Sequence, residues 1–339
     1  MTVVAVGLWL IPPPLSAIGL EQIAQLGVDG LKSTAQEAGA STVESQIDKF
    51  CKPLRGAGNM VSKPIVAVAL SETSNGTEWQ RAYETAFNRS KIEILKFRTN
   101  QIKASNQDSL QSDTTNGQTE MKSQATIESA SQAAASLVGL TVVASSVGTG
   151  ENNQPSLGLC VIANRDLQDL IAKLARSPAE IKINPPAISP LDIVDSQTPQ
   201  NLSKQFGIRL FSDPAGHPII IAFGQAAVSY KGTSEPIRAK FRQVSATRAE
   251  AIADQQIAEY LAGEAIYSDQ LLSSQLNEIS TGDSSETQKT DTINKIASDL
   301  SSRVKVNLTG LSTVRRWTLP ASKNAPEMIG IVRLWQPIE

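Results

Sequence analysis

The chain is poor in the residues that carry most enzyme and metal chemistry. Its 339 residues include one histidine, His217, and two cysteines, Cys51 and Cys160. The cysteines match no metal or redox spacing, so most zinc sites and most histidine-based triads are excluded. One disulfide and two buried thiols are both open. Neither sign of charge is in excess: 31 Lys and Arg face 33 Asp and Glu, for a net charge of −2. No bulk electrostatic reason exists for a nucleic-acid or anionic-membrane partner. No stretch is long and apolar enough to cross a bilayer as a helix. Aromatic residues make up 4% of the chain and apolar residues 40%. A core is therefore affordable, built mainly from Ala, Val, Ile and Leu. The length suits about two domains at roughly 150 residues each.

Phosphate-binding and nucleophile motifs are also missing. "VGTGENN" (147–153) and "GAGN" (56–59) lack the third glycine and following helix of a phosphate cradle, and the first reads as a hairpin loop. There is no Gly-x-Ser-x-Gly elbow and no calcium-loop pattern. The stretch "MTVVAVGLWLIPPPLSAIG" is apolar and uncharged, and Pro12, Pro13 and Pro14 interrupt it. It has the apolar run and small-residue end of a secretory signal, with Ala17 near a cleavage point, but no basic start. Signal peptide and ordered apolar arm both stay open.

What is present is repetition. Residues 20–50 read as helix, weakened at Gly27 and Gly30 and divided at "EAGAS". Beyond them "KPIVAVAL" (63–70) matches "HPIIIAFG" (217–224), each a polar residue, a proline and a strand. A long helix follows each, 79–97 and 236–264, aligning Ala86 with Ala249, Ile94 with Ile257 and Phe97 with Tyr260. Val244, Ile252, Ile257 and Leu261 are expected on the buried side of the second. Then come polar loops (105–124 and 280–291) and short helices ("ATIESASQAAAS" and "DTINKIASDLSSR"). "LVGLTVVASS" next matches "LTGLSTVRRW", with Gly139 on Gly310 and Val143 on Val314; "LGLCVIA" and "IGIVRLW" close the two copies. "GIRLF" and "PIIIAFG" flank the turn formers Asp213, Pro214 and Gly216, adding a hairpin strand to the second copy.

The expectation is an α+β protein of two related modules. Each has a strand, a long helix, a short helix and two strands, packed as helix-on-sheet layers. The boundaries read are a helical arm at 1–58, a first module at 59–176, an extended Pro-rich linker at 177–205 and a second module at 206–339.

"FGIRLFSDPAGHPIIIAFGQ" and the Ala-rich "RAEAIADQQIAEYL" resemble an uncharacterised bacterial envelope domain family. Its pattern is Gly-Ile-Arg-Leu, an Asp…Gly turn, a proline and an apolar strand ending in Gly-Gln. With the terminal "GL…V…W" and "IGIVRLW" strands, the arrangement is distantly similar to small outer-membrane lipoproteins that build flagellar basal disks. The resemblance covers residues 201–339, and 60–175 more weakly. The lipoproteins carry a lipidated cysteine at the mature N-terminus; this chain has none before Cys51. The resemblance implies a self-associating structural module and transfers no active-site residue.

Individual polar residues have simple readings. His217 takes the place of Lys63 as the polar residue before a strand proline. Glu250, Asp254 and Glu259 read as a solvated helix face rather than paired acid–base carboxylates. Arg315 and Arg316 beside Trp317 alternate across a strand and form no single basic patch. Arg303, Lys305 and Asn307 read as one polar strand face. No catalytic, cofactor-binding or metal-ligating residue is assigned, no cofactor is expected, and the chain is not read as an enzyme. The expected function is a homo-oligomeric ring, disk, barrel or shell subunit, its partner being itself and not nucleic acid. The arm would give membrane association without spanning. The location follows as periplasm or envelope, or cytoplasm if residues 1–19 are no signal. The alternative is a non-catalytic periplasmic binding module for peptide or glycan.

Overall fold

The computed structural model describes residues 20–36, 42–56, 65–72, 79–110, 137, 139–174, 181–186, 188–230, 233–261, 309–322 and 325–337. The apolar segment 1–19, residues 111–124 of the first polar loop, the second polar loop at 280–291, both short helices and the strand around Arg303 lie outside these residues; residues 105–110, expected in the first polar loop, are helical.

Two helices come first, α1 (Leu20–Gln36) and α2 (Val43–Gly56). The expected dividing stretch "EAGAS" lies between them, outside the described residues. The first sheet contains β1 (Ile65–Glu72), β2 (Thr141–Thr149) and β3 (Pro155–Ala163) in the order β1-β3-β2, all antiparallel. Helix α3 (Trp79–Leu110) connects into it and runs well past the expected end at residue 97. Alternate residues of β3 enter opposite layers. Leu157, Leu159 and Val161 meet Ala82, Ala86 and Ile94 of α3. Cys160 and Ile162 meet Val43, Ile47 and Cys51 of α2. Helix α4 (Arg165–Leu174) follows, with Leu167, Leu170, Ile171 and Leu174 buried at helical spacing.

The span expected as an extended linker folds into two short helices, α5 (Pro190–Ser196) and α6 (Pro199–Leu202). Its prolines begin helices, because a first-turn N–H needs no intrahelical acceptor. Thr198 Oγ1 accepts the Asn201 N–H as an N-cap.

The second sheet holds β4 (Gly207–Ser212), β5 (Pro218–Ala227), β6 (Leu311–Leu319) and β7 (Met328–Trp335) in the order β4-β5-β7-β6. Helix α7 (Glu235–Leu261) covers one face: Ala253 and Ile257 lie against Ile220 and Ala222. Ile193, Val194 and Leu202, with Val28 and Leu31 of α1, cover the face of Ile219, Ile221 and Phe223. Helices therefore cover both faces of each sheet. Val244, expected on the buried side of α7, is 66% exposed. The buried line runs instead through Ser245, Ala249, Ala253 and Ile257.

The repeat is physical. The orders β1-β3-β2 and β5-β7-β6 correspond strand for strand. The pairing register shifts between Val142 and Ala144 in one hairpin, and between Thr313 and Arg315 in the other. One bulge thus recurs at the matched residues Val143 and Val314. Gly139 and Gly310 precede the two strands with φ of +67° and +87°, a backbone region that favours glycine. The buried line of α3, Ala82, Ala86, Ser90 and Ile94, matches that of α7.

The proline-based alignment of the first strands is one residue off. Ile65 pairs with Ala163, and Ile220 pairs with Trp335, the matching ends of β3 and β7. Ile65 therefore corresponds to Ile220, and Lys63 to Pro218 rather than to His217. A slip of one residue exchanges the faces of a strand, so the sheet decides this where the prolines do not.

The two sheets meet where β2 abuts β4, and α1 lies across that seam. It approaches closely through its glycines. A Cβ on Gly30 would fall 1.9 Å from the Val143 carbonyl oxygen, and one on Gly27 would fall 2.9 Å from Phe211 Cε1. The residues that weaken this helix in sequence terms are its contact points. Cys51 and Cys160 form a disulfide between α2 and β3, with Cα atoms 6.0 Å apart. One apolar cluster runs through both modules, from Cys160 and Ile162 to Ile220 and Ala222.

Candidate interaction surfaces and polar clusters

The outermost strands are β1 and β6, and among the described residues nothing pairs with their outer edges. They differ in chemistry. From Ile65 to Ser71, β1 carries no charge, and Ile65, Val66, Val68 and Leu70 are half-buried. Arg89 Nη1 donates to the Leu70 carbonyl at 2.8 Å, covering one point near its end. On β6, Ser312, Thr313, Arg316 and Thr318 are exposed. Arg315 Nη1 donates to the Val194 carbonyl at 2.6 Å and to the Asp195 carbonyl, at the end of α5. Arg316 reaches Glu250 at 3.4 Å. The like charges of β6 resist pairing with a second β6, whereas the uncharged apolar edge of β1 invites another strand.

His217 sits in a small polar cluster at the β4–β5 turn. Lysine can only donate, so Lys182 Nζ, 2.6 Å away, donates a hydrogen bond to His217 Nε2. The ring proton is then on Nδ1, which donates to Asp213 Oδ2 at 3.1 Å. The His217 N–H donates to Asp213 Oδ1, and Gln336 donates to Oδ2. Burial pushes the Asp213 carboxyl up, but bonds from the His217 backbone and ring and from the Ala215 N–H outweigh it. They hold Asp213 below its usual range. The Ile183 N–H donates to the Gly216 carbonyl at 2.7 Å, tying residues 181–186 to the same turn. An aspartate-oriented imidazole also occurs in triads. Here its second nitrogen meets an ammonium, and the cluster fastens the turn.

A second cluster lies at the seam. Arg209 of β4 is fully buried. Its Nε donates to the Val142 carbonyl at 3.1 Å, beside the bulge, and its Nη2 donates to Ser145 Oγ at 3.4 Å. The guanidinium lies 5.2 Å over the Phe223 ring. Burial pulls its pKa down to about 9, which leaves it protonated at neutral pH. Burial first, and then Glu259, push the nearby Tyr83 hydroxyl well up. Arg209 stands in "GIRLF" between apolar neighbours; only the seam beside it explains why a charge is there.

The α7 carboxylates are not a solvated face. Asp254 takes the Arg333 Nε at 2.7 Å, Glu250 faces Arg316 and Arg333, and Glu259 pairs with Lys91 of α3. The second and third pairs join α7 to β6 and to the other module. "VGTGENN" forms the tip of the β2–β3 hairpin, where the Gly150 N–H donates to the Gln154 carbonyl. Among the described residues, no group of three His, Cys, Asp or Glu could hold a metal ion. Nor is any described helix long and apolar enough to cross a membrane.

No family model matches the chain. No curated protein matches it either. Among solved structures it is similar to a hypothetical protein of Francisella tularensis known from a 2.3 Å crystal structure. The TM-score is 0.61 at 19% identity, covering 94% of this chain and all of that one. At that identity the likeness concerns the fold, which is α+β in this chain.

Proposed function

We propose that the chain is a structural subunit that associates with copies of itself through the outer edges of its two sheets. The observation that carries this reading is the uncharged apolar edge of β1. Its unpaired backbone groups offer a template to another strand. Pairing of unlike edges, β1 of one copy with β6 of the next, is a head-to-tail contact that closes into rings or extends as a filament. The Cys51–Cys160 disulfide supports an oxidising compartment, and hence the periplasm or envelope. The same β1 edge would serve the runner-up, a non-catalytic binding module that takes an extended peptide as an added strand.

Native mass by light scattering, with negative-stain images, tests the reading. Closed or stacked particles are expected for the native chain. Val68→Lys, which places a charge on β1, is expected to return them to the 36.2 kDa monomer while the folded circular-dichroism spectrum persists. A native chain that stays monomeric at every concentration overturns self-assembly. If that monomer also captures an extended peptide, and Val68→Lys does not, the runner-up takes its place.

A further inference from the structure

Five large apolar side chains are exposed among the described residues, and three of them share one helix. Ile237, Phe241 and Val244 stand at helical spacing in the first half of α7, one turn before the point where Ser245 and Ala249 become buried. The Phe241 ring stacks on Tyr230 at 5.5 Å, and the Tyr230 hydroxyl accepts the Ser234 N–H at 3.1 Å. The aromatic pair is thus held at the surface.

The charges beside the stripe that lack an opposite partner among the described residues are of one sign. Arg242 pairs with Glu235 and Glu327, and Arg238 with Glu235. Lys240 and Arg248 are exposed and have no carboxylate partner among the described residues. Arg248 lies one turn beyond Val244, and Lys240 beside Phe241. The carboxylates of the same helix are engaged farther along, with Arg316, Arg333 and Lys91. A chain of net charge −2 therefore presents a local cationic, apolar face.

We propose that this face docks on an anionic lipid bilayer, with α7 lying in the plane of the surface. Ile237, Phe241 and Val244 would enter the headgroup boundary, and Lys240 and Arg248 would face the anionic headgroups. An amphipathic aromatic pair suits that boundary. Area separates this partner from a protein. Three side chains fall far short of the roughly 1,600 Å² that a stable protein interface buries. A bilayer surface needs only a few inserted groups with cations beside them. The inference does not depend on self-association.

The test is co-sedimentation of the full chain with phosphatidylcholine vesicles, with and without phosphatidylglycerol. Binding is expected on the anionic vesicles only and should weaken with added salt. Phe241→Ser with Val244→Ser, and separately Lys240→Glu with Arg248→Glu, should each lower the bound fraction by about tenfold. Unchanged thermal melts would show that both variants still fold. Residues 1–19 stay intact in every variant. Binding that survives both pairs of changes therefore belongs to another segment and overturns the proposal, as does a native chain that ignores anionic vesicles. A disulfide forming between copies of Val244→Cys, without vesicle binding, would assign the face to a second copy instead. Val68→Lys should still bind vesicles, so failure of the edge reading and failure of this one are distinguishable.

Discussion

The two modules share strand order, a bulge and a buried helix line, yet are fastened by different chemistry. Beneath α3 lies Val161, with Phe87 and Lys91 on the helix above. At the matching places in the second module stand Arg333, Glu250 and Asp254, which form ion pairs. On the opposite face, Cys160 is bonded to α2, where Val332 packs in an apolar cluster. Helix approach differs too. A Cβ on Gly224 would fall 1.9 Å from the Ala249 carbonyl oxygen, while its counterpart Ala69 carries a methyl in the core. A scaffold set by strand order and small helix residues accepts a covalent bond in one copy and charge pairing in the other. The pairing also reaches from one module to the other, because Lys91, which lies over the Phe87 ring of its own helix, takes Glu259 of α7.

The disulfide is where this contrast is widest. It closes a sequence separation of 109 residues. Its removal by Cys51→Ser with Cys160→Ser should lower stability by about 4 kcal/mol. Hydrogen exchange should locate the loss in β1, β2 and β3 first; equal loss in β5 and β7 would mean that the shared core couples the modules fully. Next, Gly224→Ala should cost about 3 kcal/mol by forcing α7 off its sheet. Ala69→Gly should cost about 2 kcal/mol, by backbone entropy and the loss of a buried methyl. Urea melts of the two variants compare the closeness of the helices. The ion pairs come third. Asp254→Leu alone leaves Arg333 short of a partner and should cost about 2 kcal/mol, while adding Arg333→Leu should restore most of it. A double variant as unstable as the single one would mean that Glu250 and Thr313 had kept Arg333 satisfied.

The smallest effect is expected at the β4–β5 turn, which has no counterpart among the described residues of the first module. Asp213→Asn should cost about 1 kcal/mol at neutral pH. The Asp213 carboxyl is held below its ordinary range, so its contribution is present above the unfolded carboxyl value and is lost as pH falls through the folded one. The difference from the native chain should therefore vanish in strong acid. A constant difference down to that range would show that the side-chain charge is irrelevant.

Much of this fold is legible before any coordinates. The hairpin around Asp213 to Gly216, the division of the first helices and the Gly139–Gly310 match all depend on local chemistry. Other signals were present but outweighed. Ser189-Pro190 and Thr198-Pro199 are helix starts, yet five prolines in one stretch read as a linker. Leu167, Leu170, Ile171 and Leu174 have helical spacing, but the segment lies just after a strand. The partners of His217, Arg209 and Asp254 were not legible. Lys182 lies 35 residues from His217, and Arg333 lies 79 from Asp254. Separations of that size carry no local signal.

By itself, the sequence determined the alternation of strands and helices, the internal repeat, the small-residue line of the long helices and the scarcity of conventional catalytic groups. These follow from side-chain size, hydrophobic period and turn chemistry, which act over a few residues. The tertiary structure alone decided which residue of β1 matches which of β5, because register is a property of paired strands. It joined the two cysteines. It moved Val244 from the expected core to an exposed stripe, because the line of Ser245, Ala249, Ala253 and Ile257 is the one that α7 buries. It also turned Gly27 and Gly30 from weak points of a helix into the places where that helix meets the seam.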